Sequence, residues 1–571
     1  MFNKNYLKRM FNFTTNKSKT IKIASIIFFG SIPYLLFYQA ILSLVIDKYM
    51  PSKELKMVCI LSSILLIIII IRFVFDYYTE SQRKICYYEN DRQIKNKIFK
   101  AIQYSNVSEL DKIQAGNLFE LTTNQSINAS QLFIWNLTGI FSVRLKSILI
   151  ISIIMLFINF KISLVIIGIF ILSYIILLPF YNISIKNYQK TIKTIISLQK
   201  KINEYIESYS TTKTLRLEDI NIDDINAVLM ESKIKYLTAN KILALHTALF
   251  NLLTFSSVVI TMLIGGNEIT LGIGSASTVM LLIDYISDIS GNMDGLLDHA
   301  HGVAYKYQSF LKILKIIDLS KEADDGTLDL NKITSIEFNN VKMSYNEKDT
   351  ILENINLKIN KPMKVAIVGK SGSGKTTLIN LIPRFYDLTD GNIFINGVDY
   401  KEYKLNELRK NISYVFQEPV ILNMSIKENL NYGLENISFE EIRKICIKLG
   451  LDNKIMSLPN KYDTIINSKT DLLSFGEKQL LSYARAILKN GDIVILDEVT
   501  SNLDLEFEQN ILSANKELLK EKISFIIAHR LNTIKDADLI IFIENKHIIE
   551  AGTHEELLKL NGKYSKLFLT K

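Results

Sequence analysis

The residues with the clearest chemistry lie in the second half of the chain. Gly369, Gly374, Lys375 and Thr376 fill the pattern G-x-x-x-x-G-K-[ST] within "IVGKSGSGKTT", directly after an apolar run opening at Val365 and before a helical stretch. Glycines let the backbone curl until its N–H groups and the following helix N-terminus face phosphate oxygens. Ser371, Gly372, Ser373 and Thr377 complete that phosphate-facing set, with Lys375 reaching the outer phosphates and Thr376 a ligand for Mg²⁺. The run "DIVILDE" ends in Asp497, suited to holding the Mg²⁺ or its water, and Glu498 beside it suits a general base that polarises the attacking water.

These groups need a scaffold, and the sequence from about Ser335 supplies one. Short β-branched runs ("SIEFNNVKMSY", "MKVAIVG", "DIVILDE", "ISFIIAHR", "DLIIFIENKHIIEAG") alternate with helical stretches, the pattern of an α/β domain with a mostly parallel sheet. Residues 335–571 are therefore expected to form a P-loop nucleotide-binding domain. The polar stretch "SKEADDGTLDLNKITS", with no apolar period, marks a linker over 319–334.

Residues 1–318 differ in character. The chain has 571 residues, 48% of them hydrophobic and 22% charged, which places part of it in lipid. Apolar stretches at about 23–46, 57–75, 140–160, 163–183, 242–265 and 270–291 are each long enough to cross the hydrocarbon, so an all-α domain of six spans is expected. A cleavable signal is disfavoured, because the first apolar region is too long and no small-residue site closes it. The basic, acid-free leader puts both ends and the second domain in the cytoplasm. Connections near 159–162 and 265–270 are short, whereas 76–139 and 184–241 are long, polar and lysine-rich, read as helices continuing the spans into the cytoplasm. The net charge of +9 follows from basic loops beside apolar runs, so nucleic acid is not expected as a partner. Cys59, Cys86 and Cys446 have neither metal-ligand spacing nor the density of a disulfide scaffold.

Several charged or polar residues fall inside the apolar stretches. Arg72, Arg144 and Lys146 lie near inner ends, where long side chains reach the headgroups, and His246 there can stay neutral. Asp284 and Asp288 are too short to do so and share one helical face. Two readings stand: that face lines a water-filled cavity favouring cationic or hydrogen-bonding cargo, or it forms a polar helix–helix contact.

Between the P-loop and Asp497, "LLSFGEKQLLSYARAILKN" resembles the LSGGQ signature of ATP-binding-cassette proteins, and the order of motifs matches that family throughout the second half. The resemblance implies further roles. Tyr345 matches the aromatic that stacks on adenine, and Gln417 in "VFQEP" the glutamine that senses the γ-phosphate and contributes to the Mg²⁺ site. Asp504 in "SNLD" matches the loop crossing the dimer interface, and His529 in "IAHR" the switch histidine. Six spans fused to one cassette look like the exporter-type half-transporter, and "LDKIQAGNLFELTTN" resembles its first inner coupling region. In that family two cassettes sandwich two ATP molecules, so Ser474 and Gly476 would contact the ATP of the opposing chain, and an obligate dimer is implied.

The chain departs from the family in Phe475 and Glu477 within the signature, and in Asn467, Ser468 and Thr470, where related exporters commonly carry Gly-Glu-x-Gly. A homodimer is favoured over a heterodimer with a second half-transporter, because Glu498 and His529 are intact. The expected activity is ATP hydrolysis driving alternating access, with export of a drug, lipid or mature peptide. Import of a metal chelate and an ATP-dependent sensor or channel regulator are the alternatives. Some twenty residues precede the first span, leaving no room for an N-terminal cysteine peptidase. Usage rich in Lys, Ile and Asn with 7 prolines fits an AT-rich bacterial genome and a cytoplasmic membrane.

Overall fold

Runs of Ile, Leu and Phe in hydrocarbon satisfy their backbone groups only by closing them within helices, and the described residues of the first half of the chain are helical apart from short turns. The computed structural model describes residues 17–30, 32–113, 115–345, 349–434, 437–467, 472–497, 518–527 and 534–569. They fall into two units: Met1–Gln103 with Ile113–Leu319, and Tyr104–Lys112 with Ser320–Lys571.

The first unit contains α1 (Lys17–Gly30), α2 (Ile32–Leu44), α3 (Leu55–Tyr104), α4 (Gly116–Ile158), α5 (Phe160–Glu207), α6 (Glu218–Thr270) and α7 (Ala276–Ile317). Among the described residues, α3, α4, the Phe160–Ser184 part of α5, and α6 are long and apolar enough to cross a membrane. The first expected span falls on α1 and α2, and the sixth runs from the end of α6 into α7, where Asp284 and Asp288 dilute the apolar run. The turns before α5 and α7 are fixed by side-chain caps. Asn159 accepts from the Ile162 N–H at 3.1 Å to start α5, and its amide donates to Glu268 of α6 at 2.7 Å. Ser275 accepts from Thr278 N–H at 3.2 Å to start α7.

Within this unit α7 buries Leu282, Tyr285, Ile286 and Ile289 against Ile151 and Met155 of α4 and Ile162 and Ile166 of α5. Asp284, Ser287 and Asp288 occupy its opposite, exposed face. The middle of α4 is irregular, passing through π-helical stretches at Leu121–Gln125, Leu132–Leu137 and Gly139–Leu145. Lys146 does not reach outward as the sequence suggested: it is buried and its Nζ donates to the Ile27 carbonyl of α1 at 2.8 Å. Arg72 pairs with Asp76 one turn on at 2.7 Å, and His246 is buried.

In the second unit β1 (Ile336–Ser344), β2 (Thr350–Ile359), β4 (Asp390–Ile395) and β5 (Val398–Asp399) form an antiparallel sheet in the order β2-β1-β4-β5. A second sheet, ordered β12-β11-β3-β10-β9-β6, contains β3 (Met363–Val368), β6 (Ile412–Val415), β9 (Ile493–Asp497), β10 (Ile523–Ile527), β11 (Leu539–Glu544) and β12 (His547–Gly552). Its strands are parallel except β12. The central strands β9 and β10 are buried along their whole length, as a sheet covered on both faces requires. Each buried Ile, Leu or Phe contributes roughly 1.5–3 kcal/mol. Helices α8 (Lys375–Leu381), α9 (Ile426–Asn431), α10 (Phe439–Lys448) and α11 (Phe475–Lys489) accompany the sheets, with the short pair β7 (Met424–Ser425) and β8 (Ile465–Ile466) between them.

Two segments remote from the sheets in sequence belong to this unit. The stretch expected as a linker buries Leu330 and Ile333 in its core, and Glu322 makes a two-pronged pair with Arg409 at 2.8 Å. Residues 104–112 join it through Asn106 N–H to Ser320 O at 2.9 Å and Glu322 N–H to Tyr104 O at 3.0 Å.

Candidate active site

β10 lies between β3 and β9, with Ile527 level with both Ile367 and Asp497. The three strands release their chains at the same edge of the sheet, the edge at which parallel α/β sheets bind ligands. β3 leads into the glycine-rich loop and β9 ends on Asp497. Glu498, Asp504 and His529, together with Ser468 and Thr470, lie outside the described residues.

The loop needs its glycines for two separate reasons. Gly372 and Gly374 have φ of +76° and +98°, which side-chain-bearing residues rarely adopt. At Gly369 the constraint is proximity, since a Cβ there would lie 2.4 Å from the Ile543 carbonyl. Lys375, the first residue of α8, is buried, and its Nζ donates to the loop's own carbonyls at Gly369 (3.1 Å) and Lys370 (2.9 Å). The ammonium is thereby held across the loop. Ser373 Oγ is buried with no hydrogen-bond partner among the described residues, a donor an incoming phosphate oxygen would satisfy.

Beside the loop, Thr376, Gln417 and Asp497 line one cavity of about 500 Å³ with Asp111, Asn380, Tyr386, Tyr414 and Phe416. A hydroxyl, an amide and a carboxylate from three distant segments make a hard-oxygen donor set, which fits Mg²⁺ better than a soft metal. Burial, reinforced by the negative charge of Asp497, pushes the Tyr414 phenol above its ordinary pKa and keeps it a neutral donor; its hydroxyl donates to Asn380 Oδ1 at 2.9 Å. Ser474 and Gly476 do not line this cavity.

Tyr345 is 40% exposed, and its hydroxyl is 3.1 Å from that of Thr377. Its ring meets Tyr386 edge to face at 5.1 Å. The Tyr386 hydroxyl in turn donates to the Asp111 carboxylate, and burial together with that carboxylate raises the phenol's pKa. A continuous contact thus runs from Asp111 to the aromatic matched with adenine. Neither Tyr386 nor Asn380 was singled out from sequence, because each sits in an ordinary helical or turn context; the one available signal was the position of Asp111 inside the stretch resembling a coupling region.

Ser474 caps α11. Its Oγ accepts from Glu477 N–H at 3.2 Å while Glu477 Oε2 accepts from Ser474 N–H at 2.7 Å, a reciprocal capping box. The glutamate that departs from the usual signature therefore has a local role, neutralising an orphan helix donor. Further along α11, Gln479 donates to the Phe416 carbonyl at 3.3 Å and Arg485 to the carbonyls of Val420 and Asn429, both at 2.5 Å. The segment carrying Gln417 is gripped by this helix on both sides.

Profiles of known families match both halves: "ABC transporter transmembrane region" over residues 21–293 and "ABC transporter" over residues 352–501. YgaD of Bacillus subtilis, named for multidrug export, is 29% identical over 90% of each chain. SAB1799c of Staphylococcus aureus, similarly named, is 32% identical over 87% of this chain and 86% of its own length. An ATP-dependent lipid A-core flippase of Photorhabdus laumondii is 44% identical over 258 residues, 45% of this chain and 44% of its own. A bacterial Atm1-family ABC exporter solved with ATP bound superposes with a TM-score of 0.80 at 21% identity, covering 100% of this chain and 99% of that one. With a glycine-rich loop and an acid-ended strand beside one cavity, a capped signature helix bonded to the segment that carries Gln417, and relatives aligned across both halves, the chain belongs to the ABC transporters as an exporter-type half-transporter, a multi-pass membrane protein that hydrolyses ATP.

Proposed function

We propose that two copies of this chain form a homodimer in a bacterial cytoplasmic membrane and export an amphipathic drug-like molecule, lipid or mature peptide. The observation that carries the ATPase part is the meeting of Thr376, Gln417 and Asp497 in one cavity beside the P-loop. Lys375 exchanges its bonds to Gly369 and Lys370 for the outer phosphates, and Ser373 gains an acceptor. Tyr345 stacks on adenine, and the loop N–H groups from Ser371 to Thr377 cradle the phosphate chain. A magnesium ion held by Thr376, Gln417 and Asp497 would neutralise charge on the β- and γ-phosphate oxygens. Glu498 takes the proton of the attacking water, His529 fixes that water and the γ-phosphate, and Ser474 and Gly476 close on the partner's nucleotide beside the Asp504 loop. ATP must bind the closed arrangement more tightly than the open one to drive the change.

Cargo class rests on the membrane unit. An apolar cavity of about 290 Å³, lined among others by Leu145, Ile148, Phe250 and Leu296 with His246 as a polar member, suits the oily part of an amphiphile. The relatives aligned along 87–90% of the chain are named for multidrug export, which makes drug-like amphiphiles the first class to screen. Asp284 and Asp288 on the exposed face of α7 favour a cationic headgroup. Changing both to Asn is expected to lower vesicle transport of a cationic dye at least fivefold while sparing a neutral one; unaltered transport of the cation would remove this role.

The chain purified alone in lipid nanodiscs tests the assembly. Hydrolysis at a rate typical of a transporter is expected without any second protein. A folded, ATP-binding chain that does not hydrolyse would instead require a different half-transporter as partner.

A further inference from the structure

β11 runs parallel to β3, with Ile541 level with Ile367 and Phe542 with Val368. Carried on by two residues, that register brings the end of β11, Ile543 and Glu544, beside Gly369 and Lys370 at the start of the phosphate loop. The approach is close, since the Ile543 carbonyl is the atom that leaves no room for a Cβ at Gly369. Glu544 is also fixed from its other side. Asn545 and Lys546 turn the chain back at φ of +48° and +74° into β12, where His547 pairs with Glu544. The Glu544 side chain is 13% exposed, so little water screens its charge.

A carboxylate held next to a phosphate site repels the nucleotide unless cations offset it. Two lysines from different elements do so here. Lys563 Nζ lies 2.8 Å from Glu544 Oε2, and Lys370 Nζ of the loop lies 3.8 Å from Oε1. The hydrogen bond from Lys563 is the main influence holding the Glu544 carboxyl below its ordinary pKa, so the acid is ionised. Lys563 opens α13 (Lys563–Leu569), which follows α12 (His554–Lys559).

α13 is docked by side chains suited to hold it. Glu550 of β12 accepts from the N–H groups of Lys563 at 2.5 Å and Tyr564 at 3.0 Å, the orphan donors of a helix start. A Cβ at Gly562 would lie 2.3 Å from that carboxylate, so the turn into α13 is fitted to the cap. Tyr564 is buried, with its hydroxyl 2.7 Å from His554 Nδ1. Lys563 is therefore presented to Glu544 by an anchored element, which a free surface lysine could not match.

We propose that Glu544 is a positioning residue for the phosphate loop, and that Lys563 of α13 raises ATP affinity by offsetting its charge. The proposal deepens the ATPase reading and rests on the glycine-rich loop being the ATP site. With α13 docked, Lys563 takes most of the Glu544 charge and leaves Lys370 to the loop. Without Lys563, Glu544 draws Lys370 toward itself, and the loop meets the triphosphate with one positive charge fewer. Both changes weaken nucleotide binding and leave the attack on the γ-phosphate alone, because Glu544 stands at the far side of β3 from Asp497. Docking of α13 and ATP affinity are thereby linked, so whatever displaces this helix lowers the affinity.

Full-length protein in phosphatidylcholine nanodiscs is assayed for ATP turnover and for binding of a fluorescent ATP analogue. Lys563→Gln is expected to raise KM for ATP and Kd for the analogue about threefold or more, with kcat within about twofold of the parent. The difference should shrink between about 0.1 M salt, where charges are screened over about 10 Å, and about 1 M, where the length is about 3 Å. Lys563→Arg should keep the parent's KM. Adding Glu544→Gln to Lys563→Gln should restore it, because the amide leaves no charge to offset. That rescue separates lost charge from lost docking: a merely structural lysine would leave the double variant at least as impaired as the single one. Unchanged KM and Kd in Lys563→Gln, or a double variant as weak as the single, overturns the proposal. A parent that binds the analogue without turnover removes the ATPase reading alone, and unchanged affinity in a hydrolysing Lys563→Gln removes this one alone.

Discussion

Lys375→Ala is expected to lower ATP hydrolysis by about a hundred- to a thousandfold, the effect of losing one fixed donor to a developing anion in a dry site. The cost has two sources. The ammonium is buried at the head of α8, where no mobile surface lysine can replace it, and it ties the loop to itself through the Gly369 and Lys370 carbonyls. Losing it should weaken ATP binding as well as slow the chemical step, because phosphate charge would then rest on backbone N–H groups and the metal alone. Turnover in nanodiscs and binding of a fluorescent ATP analogue check both parts. Hydrolysis within threefold of the parent would show that this lysine does not face the phosphates.

Glu498→Gln is expected to remove turnover to a comparable or greater extent while leaving ATP binding intact, since a general base contributes typically about 10²–10⁴-fold. The amide keeps the size and much of the hydrogen bonding of the carboxylate but cannot take a proton from water. ATP should then accumulate unhydrolysed at the interface and hold the cassettes together, visible as nucleotide retained through gel filtration. The contrast with Lys375→Ala is diagnostic: one variant loses nucleotide, the other keeps it. Normal turnover in Glu498→Gln would refute the base assignment.

What the sequence made legible was whatever one continuous segment encodes. The glycine-rich loop, the apolar strand ending in Asp497 and the Ser474 helix start each announce themselves locally, because backbone conformation and capping are short-range physics. The gathering of Thr376, Gln417 and Asp497 then follows from parallel strand order, which fold-level rules constrain tightly. Contacts between distant segments were not legible. Composition and periodicity in "YSNVSELDK" do not show that residues 104–112 join the nucleotide-binding unit, with Asp111 against Tyr386; the resemblance of the stretch from Leu110 to a coupling region is the one hint. Arg144 and Lys146 read as side chains reaching for headgroups because the sequence shows their depth but not their neighbours. Only the packing of α4 against α7 puts Arg144 beside Gly295 and Asn292, and only α1 offers Lys146 the Ile27 carbonyl. The glutamate in the signature reads from sequence as a departure from the family pattern, and in the structure it completes a helix cap.

The grip of α11 on the segment around Gln417 has a consequence for how a dimer counts its fuel. Gln479 and Arg485 fasten Phe416 and Val420 to the same helix whose first residues are assigned to the partner's nucleotide. In the proposed homodimer one stiff rod therefore joins the reader of a chain's own γ-phosphate to the clamp on the other chain's ATP. Filling one site should tilt that rod toward the position the second site needs, so occupancy at the two sites rises together and half-loaded dimers stay scarce. Turnover plotted against ATP concentration would then climb sigmoidally, and loosening the rod at Arg485 would flatten the curve toward a simple hyperbola.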